Sequence, residues 1–513
     1  MAEKIKTADE VARIIGKRPR DKTVIMCHGV FDIVHPGHVR HLIYAKSKAD
    51  ILIASLTADA HIEKANFRPY VPQDLRAFNL AAFECVDYVL IDENPTPLEN
   101  LKRLEPDFFA KGYEYADGNV NPKTQAEIGV IEKYGGEIIF TPGDVVYSSS
   151  RLIDLAPPNL QSEKLVALLE AEELGFGDLR NALDKFDGVR VHVVGDLIVD
   201  SLTTCTMIGG MTKTPTMSVR YERRTDYVGG AGIVAKHLAA AGADVTLTTI
   251  LGDDSLKDFV LEDLEKTGVK VNAIVSTTRP TTNKNAFVTN GYRLLKVDTL
   301  DNRSISERTL ERMCGEISAM NSDVVVFSDF RHGIFNKHTI PPLTRAIGKD
   351  CLKVADSQVA SRWGNILEFQ GFDLITPNER EARFSLADQD TVVRPLATDL
   401  YHRARCGVLI LKLGDRGILT YRTRPEGHPR TFYAVDSLAG AVRDPVGAGD
   451  ALLAYASLAL ATTRDDVTAS IIGSVAAGLE CEVDGNQPVS KMDVRARLSE
   501  IEARTNYDGH DRS

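Results

Sequence analysis

Short apolar runs alternate with amphipathic stretches along this sequence, and they do so in two separate series. The first places runs at Val24–Cys27, Ile51–Leu56, Val86–Ile91, Phe108–Ala110 and Ile138–Phe140, with helical spacing between them at Val39–Lys48 and Pro72–Glu84. The second places runs at Val191–Val194, Val245–Ile250, Val324–Ser328, Leu352–Ala355, Phe372–Ile375, Val408–Lys412 and Ile418–Tyr421. A strand that returns to its own sheet through a helix does so by a right-handed crossover, so both series predict an α/β fold built on parallel strands. Ligands of such sheets bind beyond the carboxyl ends of the strands. Each series has a glycine-containing turn at such a place, Gly29–His38 in the first and Gly447–Asp450 in the second.

A chain of 513 residues exceeds what one hydrophobic core usually serves. Ala156-Pro157-Pro158 marks a boundary, and Ser162–Leu174 carries leucines at helical spacing. The expected division is a domain over 1–158, a linker helix region over 159–188 that docks on one domain, a second domain over 189–504 and a flexible polar tail over 505–513. Between Thr203 and Val228 the sequence is Thr-rich and without helical period, which predicts an inserted small sheet serving as a lid.

Composition excludes several classes. The balance of 61 basic against 72 acidic residues gives −11, so no global positive field favours nucleic acid, and phosphate must be held by local sites. No apolar stretch approaches a membrane span and the N-terminus lacks a signal-peptide core, so no membrane partner and a cytoplasmic location are expected. Seven scattered cysteines without a CxxC pair read as free thiols of a reducing compartment.

The first turn, Gly29-Val30-Phe31-Asp32, leads from a strand into a helix starting near Pro36, which points backbone N–H groups at a phosphate-sized opening. His35 and His38 flank Gly37 there, and donors aimed at phosphate oxygens stabilise charge as pyrophosphate leaves. A zinc pair or two surface histidines are the alternatives, but no third Cys, His or carboxylate stands at ligand spacing. GVFDIVHPGH resembles the HxGH motif of the cytidylyltransferase-like nucleotidyltransferases. The similarity continues through Lys64, Arg68-Pro69, Arg76, Glu84–Val89, Lys111-Gly112 and Tyr147–Arg151. It implies a Rossmann-like domain in which His35, His38 and Lys64 bind the triphosphate. It also implies that Gly29, Phe31, Arg76 and Lys111 line the nucleotide site, and that Ser148, Ser149 and Ser150, by themselves only a helix cap, hold a phosphate. Glu84–Val89 is similar to a heptose adenylyltransferase pattern, which favours ATP over CTP.

The second turn offers the amides of Gly447, Ala448 and Gly449 at a helix start, an anion hole, with Asp450 placed to take a proton from a hydroxyl. Alone it is only a turn, and no Walker A sequence is present. DPVGAGD resembles the signature of the ribokinase-type (PfkB) sugar kinases. Val194-Gly195-Asp196, Gly229-Gly230-Ala231, Thr376–Glu381 and Lys412–Gly417 follow the same family in order. The resemblance implies a ribokinase-like α/β domain with a small β lid and Asp450 as base. Asn378 and Glu381 would organise Mg²⁺ through water, and Lys412, Gly414 and Gly417 would form a nucleotide turn. Asp196, Gly229, Gly230, Lys284 and Asp329 would meet the sugar, and subunits would pair as a homodimer or higher oligomer.

Together the two domains resemble the bifunctional enzymes that make ADP-heptose, in reversed order. That implies phosphorylation of a heptose 7-phosphate at C1, followed by nucleotidyl transfer from ATP. Two readings stand beside it: a kinase with a cytidylyltransferase making a CDP-activated sugar or polyol, and an active transferase with a silent kinase-like binding module. The chain departs from the family at Ile233, where an Asn faces the sugar, at His332 in place of a Lys, and at Val446 and Lys412, each in place of a Thr.

Overall fold

β1 (Val24–Gly29) is the centre of a five-stranded parallel sheet completed by β2 (Ile51–Thr57), β3 (Tyr88–Asp92), β4 (Phe108–Gly112) and β5 (Glu137–Thr141). The order is β3-β2-β1-β4-β5. Successive residues of β1 face opposite layers. Ile25 and Cys27 pack with Leu52, Ala54 and Leu80, while Val24 and Met26 pack with Ile53, Leu101 and Phe109. A sheet covered on both faces explains why these strands read as unbroken apolar runs rather than alternating ones. Strand order reverses between β1 and β4, so the loop leaving β1 at Gly29 opens at the topological switch point.

This is a computed structural model, and it describes residues 2–510 except 63–68, 113–121, 142–160, 211–216, 359–365, 423–430, 441 and 484. The chain divides into two units, Met1–Ala167 and Leu168–Ser513. The second contains β6 (Arg190–Gly195), β7 (Leu197–Gly210), β8 (Met217–Gly230), β9 (Asp244–Gly252), β10 (Lys270–Ser276), β11 (Asn283–Thr289) and β12 (Tyr292–Thr299). It continues with β13 (Val324–Asp329), β14 (Leu352–Ser357), β15 (Leu374–Ile375), β16 (Val408–Lys412), β17 (Ile418–Arg422) and β18 (Phe432–Val435). Nine of these form one sheet in the order β10-β9-β6-β13-β14-β15-β16-β17-β18, parallel as far as β16 and antiparallel beyond it.

The lid is a separate four-stranded sheet, β12-β11-β7-β8. It exceeds the expected excursion: β7 begins at Leu197, and β11 adds to it in parallel, pairing Lys284 with Asp200. The Ser162–Leu174 segment is helical over Gln161–Ala171 and is followed by a second helix, Phe176–Asp184. Within the second unit Leu168, Leu169, Leu179 and Leu183 are buried, and Glu172 pairs with the buried Arg422, which also holds Asp466 at 2.9 Å. The final helix, Lys491–His510, runs into the stretch expected to be a flexible tail. Val494, Leu498 and Ile501 anchor its buried stripe, and each further residue adds one hydrogen bond to a helix already nucleated. Among the described residues no helix is long and apolar enough to cross a membrane, and all seven cysteines are free.

Candidate active sites

In the first unit, the Pro36–Lys46 helix starts on His35, whose Nδ1 accepts from the Gly37 amide at 3.1 Å. That bond assigns the imidazole proton to Nε2, leaving it to donate outward. The rings of His35 and His38 lie 4.0 Å apart, and the Phe31 ring lies 5.3 Å from that of His38. A Cβ on Gly37 would come within 2.8 Å of the His35 ring, so only glycine lets the imidazole fold back onto its own helix. Burial, then His35 and His41, push His38 down to about 4, and burial, then Arg40, lower His35. Both are therefore neutral at pH 7 rather than cationic; His35 keeps an outward Nε2–H, while the His38 ring is hydrogen-bonded to the Ile33 carbonyl. A cavity of about 680 Å³ opens against His35, lined also by Asp32, Val34, Arg40 and Val71.

In the second unit, Gly447 (φ 92°) caps the Ala448–Thr463 helix and Asp450 is its third residue. Burial, then the negative charge of Asp356, raise Asp450 to about 8; Lys412 opposes the rise, while Asp200 and Glu480 add to it. Lys412 Nζ donates to Asp356 Oδ1 at 2.9 Å, and the Thr376 hydroxyl donates to the same oxygen at 3.0 Å. Gly447 is favoured by its positive φ, and both glycines of the turn have close side-chain neighbours. A Cβ on Gly447 would lie 2.7 Å from Glu480 Oε1, and one on Gly449 would lie 3.2 Å from Lys412 Nζ. Asn378 caps the Glu379–Leu386 helix: its side chain accepts from the Glu381 amide at 2.8 Å, while its own amide and Nδ2 each donate to Glu381 at 2.7 Å. Gly417 (φ 83°) closes the turn after β16, where a Cβ would strike the Val435 carbonyl oxygen.

The sequence model of the pfkB family carbohydrate kinases matches residues 190–492. The chain belongs to the pfkB carbohydrate kinase family. A cytidylyltransferase-like model matches residues 26–153, ahead of the kinase segment. The bifunctional protein HldE of Geobacter metallireducens is 38% identical over 138 residues, 26% of this chain and 27% of that protein. HldE of Desulfatibacillum aliphaticivorans is 26% identical over 323 residues, 61% of this chain and 64% of its own length. The chain thus spans between about a quarter and under two thirds of these relatives. Phosphofructokinase-2 of Escherichia coli, in its tetrameric inhibited form, superposes over 61% of this chain and 99% of its own, with TM-score 0.51 and 17% identity, a likeness of fold.

Not every expected residue faces an opening. In the cytidylyltransferase-like unit, Arg76 is fully buried and donates to the carbonyls of Val30, Thr57 and Val71 and to Asp59. Its guanidinium holds the Gly29–Asp32 turn in place instead of binding nucleotide. Lys111 is likewise engaged by Glu127 and Thr124. Lys64 and Ser148, Ser149 and Ser150 lie outside the described residues. His28, which sequence reasoning passed over, sits between Ser55 (2.9 Å) and Thr57 (3.2 Å) at the carboxyl end of β1, and burial lowers it.

In the pfkB unit, Asp196 accepts from the amides of Phe330 and His332, each at 3.1 Å, and Asp329 is held by Ser357 and Arg331. Burial, then the charge of Asp329, raise Asp196 to about 7, and burial raises Asp329 against the lowering pull of Arg331 and Ser357. They shape the loop after β13 rather than present free oxygens to a sugar. Asp200 lies near Asp196 in sequence: a Cβ on Gly229 would collide with its Oδ2, Asn486 donates to it at 3.3 Å, and Lys284 is a nearby opposing charge. The available signal was a carboxylate following the apolar run Leu197-Ile198-Val199. Ile233 is wholly buried, so it fills the core where a sugar-facing residue was expected. His332 meets Asn302 at 2.7 Å and is pushed down to about 4 by burial, then by Lys284 and Lys296.

Proposed function

We propose that the chain makes a nucleotide-activated sugar in two steps, phosphorylating a sugar phosphate in the pfkB unit and transferring a nucleotidyl group in the other. The observation that carries this reading is Asp450: a buried carboxylate raised to about 8 at the head of a helix, beside the amides of Gly447, Ala448 and Gly449. A base of that affinity can take the proton of a sugar hydroxyl as its oxygen attacks the γ-phosphorus of ATP, and the helix-start amides stabilise the phosphoryl group as ADP leaves. Asp200, Asn486 and Lys284 supply acceptors and donors for the sugar.

Mg²⁺ fits this unit as a hydrated ion carried by the triphosphate. Among the described residues no cluster of three His, Cys, Asp or Glu side chains could cage a metal. Both Glu381 oxygens already accept from Asn378, which leaves their remaining lone pairs for water. Asn378 and Glu381 would hold those waters, and the ion would neutralise phosphate charge.

In the cytidylyltransferase-like unit, the oxygen of a sugar 1-phosphate attacks the α-phosphorus and pyrophosphate departs. An anionic nucleophile needs no strong base, so positioning and donors suffice. Neutral His35 supplies such a donor through Nε2, and His38 does so by exchanging its bond to the Ile33 carbonyl for one to phosphate, with the Gly29–Asp32 turn fixed by Arg76. The names of the HldE relatives support a bifunctional chain, and we assign a heptose 7-phosphate as acceptor, ATP as donor in both steps, and a homodimeric or higher homo-oligomeric assembly. Incubating the full chain with a panel of sugar phosphates, with ATP and CTP supplied separately, and weighing the products tests this. ADP-sugar from ATP supports it, whereas CDP-sugar alone replaces the adenylyl assignment by the cytidylyl one.

A further inference from the structure

We propose that Lys412 is a catalytic residue of the kinase unit, a resident cation that binds the phosphoryl group in transit beside the amides of the Gly447–Gly449 turn. This rests on the kinase reading above and adds to it a group that forms no part of the turn.

Lys412 ends β16, and its amide is pinned to the Pro377 carbonyl at 2.8 Å. From there the side chain, only 16% exposed, reaches Asp356 at the end of β14. The same ammonium lies against Gly449, where an added Cβ would come within 3.2 Å of Nζ and 3.7 Å of Cδ. Nothing larger than hydrogen separates this charge from the turn. Asp356 uses one of its three donors, and the others can reach a phosphate oxygen. Burial works to lower Lys412, but the charges of Asp356, Glu381 and Asp450 outweigh it and hold the ammonium form.

The need for a cation here follows from its neighbours. Asp356 and Asp450 place negative charge where a phosphoryl group carrying negative charge must pass. A fixed ammonium at that point offsets them and favours the transition state over bound ATP. During transfer the hydroxyl proton goes to Asp450, the new O–P bond forms and the bond to ADP breaks. Lys412 keeps its proton and makes no covalent bond.

Binding of Mg-ADP to the full chain, measured calorimetrically with and without aluminium fluoride as a mimic of the moving phosphoryl group, tests the role. Wild type should bind ADP about a hundredfold more tightly with the fluoride, at the low end for transition-state mimics. Lys412→Met should lose most of that gain, a loss far exceeding whatever affinity it loses for ADP alone, and Lys412→Arg should recover part of it. Should Lys412→Met melt, Lys412→Gln, which keeps a donor for Asp356, carries the same comparison. An undiminished fluoride gain in the uncharged variant overturns the proposal and leaves the kinase reading standing. So does an equal loss of ADP affinity with and without fluoride. No fluoride gain in wild type removes the kinase reading and Lys412's role together.

Discussion

On the proposed function, Asp450, His35 and His38 act through their surroundings, and those surroundings set what each variant should do. Asp450→Asn should lower phosphorylation by roughly 10²–10⁴, the range for losing a general acid–base group, and leave nucleotidyl transfer from a supplied sugar 1-phosphate unchanged. Since the base works only when ionised and its carboxyl is raised to about 8, the kinase rate should climb from pH 6 to pH 8 and level off above. A profile flat across that range would contradict the role. His38→Ala should cost about 10²–10³ in nucleotidyl transfer, comparable to losing one preorganised donor, with kinase turnover intact. Because burial holds His38 near 4, its donor state should persist at pH 5.5; a rate that halves near 6.5, as for an ordinary histidine, would argue against the neutral pair. These side chains stand out in the sequence because motif spacing marks them. Arg76, Asp196 and Asp329 were misread because residue type does not reveal which donors and acceptors the fold has already used. Asp200 was missed for the converse reason: only the glycine packed against it shows where it points.

At the scale of elements, the turns do the positioning. Gly417 has φ 83° and a Cβ position 2.1 Å from the Val435 carbonyl oxygen. Gly417→Ala should therefore destabilise the second unit by at least about 1–3 kcal/mol, the cost of backbone strain, and this would show as a lower melting temperature. A melting temperature equal to wild type would mean that β17 and β18 shift freely. Ile233→Asn should likewise weaken folding by about 1–3 kcal/mol, since it buries an amide among apolar side chains of the Ala231–Ala240 helix. Improved use of a heptose phosphate by that variant would restore the sugar-facing role expected from sequence. Most of the parallel strands were readable from unbroken apolar runs, but β10 was not, since Asn272 interrupts it and only Ile274 is buried. β11 and β12 were not, because much of β12 faces solvent and its polar residues carry no hydrophobic period.

At the scale of the molecule, the proposed function has a pfkB unit and a cytidylyltransferase-like unit on one chain place a phosphorylation next to a step that consumes its product. The two series of runs made the pair of α/β units legible, and the two glycine turns made their chemistry legible. The sugar itself was not, because on the proposed function its hydroxyls would be read by side chains such as Asp200 and Asn486, far apart in sequence and without a shared motif. The measurement closest to the central claim is product mass from the full chain given a heptose 7-phosphate and ATP, run beside Asp450→Asn. Wild type should release an ADP-sugar, and the variant should do so only when sugar 1-phosphate is supplied. Phosphorylation undiminished in Asp450→Asn, or no phosphorylation of any sugar phosphate by wild type, would contradict the account.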